Sequence, residues 1–112
     1  MTDHNQNKKC DIGLIGLGVM GRNFAQNMSD HGFSVAGYDR DKEKIQALMF
    51  EKTEQQDLRA GHDIKEFLGL LSRPRAVMML VPAGDPVDAV IDELMPNLEP
   101  GDLIIDSGNS RF

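Results

Sequence analysis

Short apolar runs alternate with amphipathic stretches along this chain. Asp11-Ile-Gly-Leu-Ile-Gly16 is brief, apolar and closed by glycine, the pattern of a strand buried on both faces. From Val19 to His31 the period lengthens. Met20, Phe24 and Met28 recur every four positions with Ala25 beside them, which predicts a helix, and Gly32 follows as a stop signal. Phe33 to Tyr38 predicts a second strand, ending at Asp39-Arg40-Asp41. A second helix is expected over Lys42 to Met49, with Asp41 as its N-cap. Glu51 to Gly61 is polar and predicts no element. A helix over Asp63 to Leu71 follows, Pro74 punctuates, and Arg75 to Val81 predicts a third buried strand. Pro86 to Leu94 reads as helical, Pro100-Gly101 as a turn, Asp102 to Asp106 as a fourth strand, and Gly108-Asn109-Ser110 as the start of a loop. Strands alternating with helices imply a parallel sheet with right-handed crossovers.

Composition narrows the classes. The chain has 112 residues, 40% hydrophobic and 27% charged, which suits one folded domain and not a disordered segment. Met1 to Lys9 is polar and is expected to be a flexible tail, leaving 10–112 as the domain. A formal net charge of -6 gives no basis for general nucleic-acid binding. Cys10 is the one cysteine, so no internal disulfide forms, and no Cys/His cluster has metal spacing. The longest apolar run, Ala76 to Val81, is too short to span a bilayer. A cytoplasmic protein with no membrane partner is expected.

Gly16-Leu17-Gly18-Val19-Met20-Gly21 matches G-x-G-x-x-G, follows a predicted strand and opens a predicted helix. In that context the pattern points to a dinucleotide. Gly16 permits a tight turn, Gly18 lets the backbone approach a pyrophosphate, and Gly21 lets helix and strand pack closely. The bare N–H groups and positive end of the helix would face the phosphates. Met20 would sit inside this turn, facing the cofactor. The fold class is therefore α/β, a Rossmann-type parallel sheet with flanking helices, truncated after about four strands.

Asp39 stands at the end of the second strand, about 20 residues past the glycine turn, where an acidic residue commonly bonds the adenosine ribose. Arg40 beside it suits a ribose 2′-phosphate. Asp39 favours NAD, whereas Arg40, with Lys42 and Lys44 nearby, favours NADP; the residues alone leave both open. Val81-Pro82-Ala83-Gly84 follows the third strand and suits the nicotinamide half. Ser107 and Ser110 lack a general-base partner and read as loop residues. No G-x-x-x-x-G-K-[ST] is present, which excludes an ATPase P-loop. His4, His31 and His62 are scattered, without partners that would tune them for catalysis.

Taken together, these segments resemble 6-phosphogluconate dehydrogenases from about Asp11 to Phe112. The telling pieces are Gly16-Leu-Gly-Val-Met-Gly-Arg-Asn23, Asp30-His-Gly-Phe33, Arg73-Pro-Arg75, Ala83-Gly84 with Pro86-Val-Asp88, Gly101-Asp102 and Asp106-Ser-Gly-Asn-Ser110. The resemblance implies an oxidoreductase of the pentose phosphate pathway and of gluconate utilization. Such enzymes oxidise 6-phosphogluconate with NADP and release carbon dioxide and ribulose 5-phosphate. It implies that Gly16 to Gly21 holds the pyrophosphate, Asp39-Arg40-Asp41 the 2′-phosphate and Pro82-Ala83-Gly84 the nicotinamide side, while Asn109 touches cofactor and substrate. The family usually has Asn-Arg-Thr at 39–41, lysine at 82 and glycine at 107. The two aspartates leave NAD open beside NADP.

The family's general-base lysine, acid glutamate and most substrate contacts fall beyond Phe112, so no residue here is assigned a catalytic role. The longer enzyme is expected to be a homodimer. This piece is expected to be monomeric unless an uncovered sheet edge lets it self-associate. Three alternatives stay open: the cofactor domain of another β-hydroxyacid dehydrogenase, a non-catalytic NAD(P)-sensing module, and a half-fold that binds nothing.

Overall fold

The computed structural model describes residues 9–80 and 85–106. Apart from Lys9, the expected tail lies outside them. The elements run β1 (Ile12–Ile15), α1 (Val19–Asp30), β2 (Val35–Tyr38), α2 (Lys42–Glu51), β3 (Leu58–Ala60), α3 (Ile64–Gly69), β4 (Ala76–Met79), α4 (Asp85–Leu94), a 3-10 turn (Met95–Asn97) and β5 (Leu103–Asp106). All strand pairs are parallel, in the order β3-β2-β1-β4-β5. The chain thus winds outward one way from β1, crosses back, and winds out the other way through β4. This arrangement leaves a crevice at the carboxyl edge, where the winding direction reverses between β1 and β4.

The register sorts the side chains onto two faces. Gly13 pairs with Ala36 and Ile15 with Tyr38, and parallel partners share a face. Phe67 of α3 covers this face: a Cβ on Gly13 would lie 2.6 Å from its ring, and its ring centroid is 6.0 Å from that of Tyr38. On the opposite face Leu14 pairs with Gly37, and Leu48 of α2 and Leu17 close over Gly37. The core formed by both layers includes Leu14, Ile15, Leu17, Val35, Leu48, Phe67, Val77, Met79, Val90 and Leu94, each at most 1% exposed.

Five strands replace the four expected. The extra one, β3, falls in the polar stretch for which no element was expected, and it pairs Val35–Gly37 with Leu58–Ala60. In α1 the buried residues are Gly21, Ala25 and Ser29, one position on from the expected Met20-Phe24-Met28 stripe. Phe24 and Met28 pack at its flank, and Met20 is 76% exposed. The helix lies so close to β1 that only small side chains fit between them, and the larger ones are displaced to the sides. Arg75 to Val81 was expected to form a buried strand; in β4 Val77 and Met79 are buried, and Ala76 and Met78 are half-buried. Met78 pairs with Leu14 and so lies on the α1 side, beside a groove that α1 does not fill. The starts of α2 and α3 carry side-chain caps. Asp41 accepts from the Glu43 N–H at the start of α2, and Asp63 from the Glu66 N–H at the start of α3.

Cys10 precedes β1 and is fully buried. Its N–H donates to the Leu70 carbonyl at 2.7 Å. Burial, above all, pushes its thiol up to about 11, so it stays protonated and unreactive near neutral pH. A thiol-alkylating reagent at pH 8 is expected to label Cys10 only after denaturant is added. Prompt labelling of the native chain would show that this edge opens readily.

Candidate functional site

The sharp turn after β1 needs glycine at one place and a close approach at another. Gly16 has φ 105°, a conformation that residues with a Cβ rarely adopt, and its N–H donates to the Tyr38 carbonyl at 2.9 Å. A Cβ on Gly21 would stand 1.9 Å from the Gly16 carbonyl oxygen. Gly21 therefore sets the distance between α1 and the turn. Gly18 is different. It is the N-cap of α1, with φ -65° and no side-chain cap, and a Cβ there would meet nothing within 4 Å among the described residues. The protein's own packing does not demand glycine at 18.

The helix start is bare in a second respect. α2 and α3 each carry a capping aspartate and a glutamate in the first turn, whereas α1 has neither a side-chain cap nor an acidic residue in its first turn. Its free N–H groups and positive dipole end stand at the carboxyl edge beside Leu17 and Asp39, an arrangement suited to an anion.

Asp39 does something that the sequence reading missed. Its Oδ2 accepts from the Leu17 N–H at 2.7 Å and its Oδ1 from the Asp41 N–H at 2.8 Å, so the carboxylate ties the glycine turn to the turn after β2. Asp41 Oδ1 in turn accepts from the Glu43 N–H at 3.0 Å. Lys42, exposed like Arg40, donates its ammonium to the His62 carbonyl. Arg40 is exposed and makes no ion pair or side-chain hydrogen bond among the described residues. Of the charges at 39–42, its guanidinium is the one left uncommitted.

Met20 and Val19 of the first turn are exposed. Met20 borders a groove of about 630 Å³, lined also by Asn23, Phe24, Asn27, Met78 and Leu80, between α1 and β4. Pro82, Ala83, Gly84 and Asn109 lie outside the described residues, as do Ser107 and Ser110. Sequence reasoning also missed Arg22, whose Nη1 donates to the Leu17 carbonyl at 2.8 Å. Its partner on α2 is 29 residues away, so no local pattern marks it. Among the described residues no group of three or more His, Cys, Asp or Glu could hold a metal. No helix there is long and apolar enough to cross a membrane.

A parallel sheet wound both ways from β1, with a glycine turn opening α1, defines a Rossmann-type domain. The chain belongs to the family of NAD-binding domains of 6-phosphogluconate dehydrogenase, whose family model matches residues 11–112. Over 102 residues it is 50% identical to the decarboxylating 6-phosphogluconate dehydrogenase of Cunninghamella elegans, covering 91% of this chain and 21% of that protein. Over 104 residues it is 47% identical to the Synechocystis enzyme of the same name, covering 93% and 22%. The solved Plasmodium falciparum 6-phosphogluconate dehydrogenase, studied without ligand, with NADP+ and with 6-phosphogluconate, superposes with a TM-score of 0.85. That match has 38% identity and covers 92% of this chain and 22% of that one. A Mycobacterium tuberculosis 3-hydroxyisobutyrate dehydrogenase, at 21% identity and a TM-score of 0.73, shares the fold. The chain spans about a fifth of the length of the curated relatives it matches.

Proposed function

We propose that this chain is the NADP-binding domain of a decarboxylating 6-phosphogluconate dehydrogenase. The observation that carries the proposal is Gly18. It caps a helix that has no other cap, and among the described residues it leaves open space where every other residue type would put a Cβ. A pyrophosphate approaching the backbone at that point explains a glycine that internal packing does not require. In this reading Gly16 to Gly21 receives the pyrophosphate on the first-turn N–H groups. Arg40 receives the 2′-phosphate, and Asp39 and Asp41 shape that end of the site through the backbone. Pro82-Ala83-Gly84 and Asn109 follow β4 and β5 in the chain, and we assign them to the nicotinamide and substrate side on the strength of the family resemblance. The bound cofactor would accept hydride from the substrate. This domain's part is to hold the cofactor still, which is positioning and not bond-making. Acting on 6-phosphogluconate, homodimeric assembly and a cytoplasmic setting belong to the longer enzyme in the same proposal.

Calorimetric titration of the chain with NADP+ and NAD+ at one fixed salt concentration tests this. NADP+ is expected to bind more tightly. Arg40→Ala is expected to cost about tenfold or more in NADP+ affinity, the worth of a charge-assisted hydrogen bond, and to leave NAD+ nearly unchanged. Tighter NAD+ binding would mean that the charge of Asp39 outweighs Arg40. Binding of neither would overturn the proposal.

A further inference from the structure

Arg22 grips the glycine turn from outside it. Its Nη1 donates to the Leu17 carbonyl at 2.8 Å, and its Nε faces both carboxylate oxygens of Glu51 at 3.1 and 3.2 Å. Gln26 Nε2 donates to the same carboxylate at 3.0 Å. The Arg22 side chain is 16% exposed, so the ion pair is partly shielded from water and from salt. Leu17 is thereby held three ways: its side chain lies fully buried in the core, its N–H is bonded to Asp39, and its C=O is bonded to Arg22.

The C=O of Leu17 and the N–H of Gly18 belong to one planar trans peptide unit, in which they point in opposite directions. A guanidinium that draws the Leu17 oxygen to one side therefore aims the Gly18 N–H to the other. The same bond polarises the peptide and makes that N–H a stronger donor. A Cβ built on Gly18 would meet nothing within 4 Å among the described residues, so no described side chain keeps a ligand from the backbone there.

We propose that Arg22, held in place by Glu51, is a positioning residue that aims the Gly18 amide at the cofactor's pyrophosphate, so that an ion pair between two helices helps set dinucleotide affinity. The proposal rests on the reading that the glycine turn receives the pyrophosphate. Neither Arg22 nor Glu51 touches the cofactor in this scheme. Glu51 cancels the arginine's charge, so the effect on the phosphates comes through the geometry of one peptide and not through net attraction.

The test uses Arg22→Met, which keeps the apolar stem of the side chain, and Glu51→Gln. NADP+ and 2′-AMP are titrated into each; 2′-AMP carries the adenosine and 2′-phosphate but no pyrophosphate. Arg22→Met is expected to weaken NADP+ about tenfold while 2′-AMP binds as before. Glu51→Gln is expected to weaken NADP+ less, and the double variant no more than Arg22→Met alone. Equal losses for both ligands, or no loss of NADP+, overturn the proposal. Amide exchange in the ligand-free chain gives a readout independent of binding: the Leu17 N–H should exchange several-fold faster in Arg22→Met. If the unmodified chain binds neither ligand, the reading of the turn as a pyrophosphate site fails, and the clamp is judged on exchange alone. Unchanged exchange at Leu17 then overturns it.

Discussion

Gly21→Ala is expected to lower the melting temperature sharply and to abolish dinucleotide binding together with it. The added methyl would start 1.9 Å from the Gly16 carbonyl oxygen and 2.9 Å from its carbon. Both are backbone atoms, so no side chain can rotate away. Relief requires α1 to lift off the turn, which drags Ala25 and Ser29 out of the same tight seam. Overpacking of a well-filled site costs about 1–3 kcal/mol, and a clash against backbone belongs at or above the top of that range. Gly18→Ala is the informative contrast. Its φ of -65° suits alanine and its methyl would point into open space, so it should melt close to the unmodified chain and still bind NADP+ more weakly. The two glycines of one motif thus separate by mechanism, one serving the packing and the other the ligand. Thermal melts with parallel titrations check both. A Gly21→Ala chain that melts with the unmodified one would show that the helix moves aside at little cost, and a Gly18→Ala chain with full affinity would remove the phosphates from that amide.

The elements that the sequence disclosed are those with a strong local signal. β1, β2, β4 and β5 each carry an apolar run, and the glycine turn has a fixed spacing. β3 has no such signal. Of its three residues only Leu58 is fully buried, and what places it comes from far along the chain. Ser29 Oγ accepts from the Asp57 N–H at 2.8 Å, and Gln56 Nε2 donates to Asp30 Oδ1 at 3.0 Å, so the end of α1 holds the lead-in to a strand nearly 30 residues later. No window of sequence contains both halves of that contact. The same blindness affected the site. The place of Asp39 at the end of β2 was legible, but its bond to Leu17 depends on how closely two loops approach across the sheet edge. Beside the ribose contact expected of it, the carboxylate braces the glycine turn. The stripe on α1 was misjudged by one residue for a related reason: periodicity reports which side of a helix is apolar, not how near the sheet will come. Where the approach is closest, the contact residues are the smallest ones, Gly21 and Ala25, and hydrophobicity scales barely register them.

Acid is expected to loosen the seam between β4 and β5 through one carboxylate. Asp102 Oδ1 accepts from the Arg75 N–H at 2.8 Å, and its Oδ2 from the Glu99 N–H at 2.9 Å. The Arg75 guanidinium adds a contact at 3.4 Å, with side-chain exposures of 8% for Arg75 and 2% for Asp102. The backbone N–H of Arg75, then that of Glu99, holds the Asp102 carboxyl below its usual range. A carboxylate whose pKa is depressed by folding stabilises the fold at every pH above its unfolded value and loses that contribution as pH falls toward the folded one. Melting temperature should therefore be flat through neutral pH and fall once the pH drops below the usual aspartate value of 3.8. Asp102→Asn should melt lower at neutral pH and show a shallower acid limb, because it has no proton to take up. Asp102→Ala should be worse than Asp102→Asn. Both variants leave the Arg75 guanidinium, already with an unpartnered Nε among the described residues, without its counter-ion; alanine also removes the side-chain oxygen that asparagine keeps, so the Arg75 and Glu99 N–H groups both lose their acceptor, and an unsatisfied buried donor adds to the cost. Melting curves of the three chains from pH 7 to pH 3 decide the matter. If Asp102→Asn follows the acid limb of the unmodified chain, another carboxylate governs acid stability. If Asp102→Ala matches Asp102→Asn, the freed N–H groups of Arg75 and Glu99 find water or a new acceptor when the side-chain oxygen is removed.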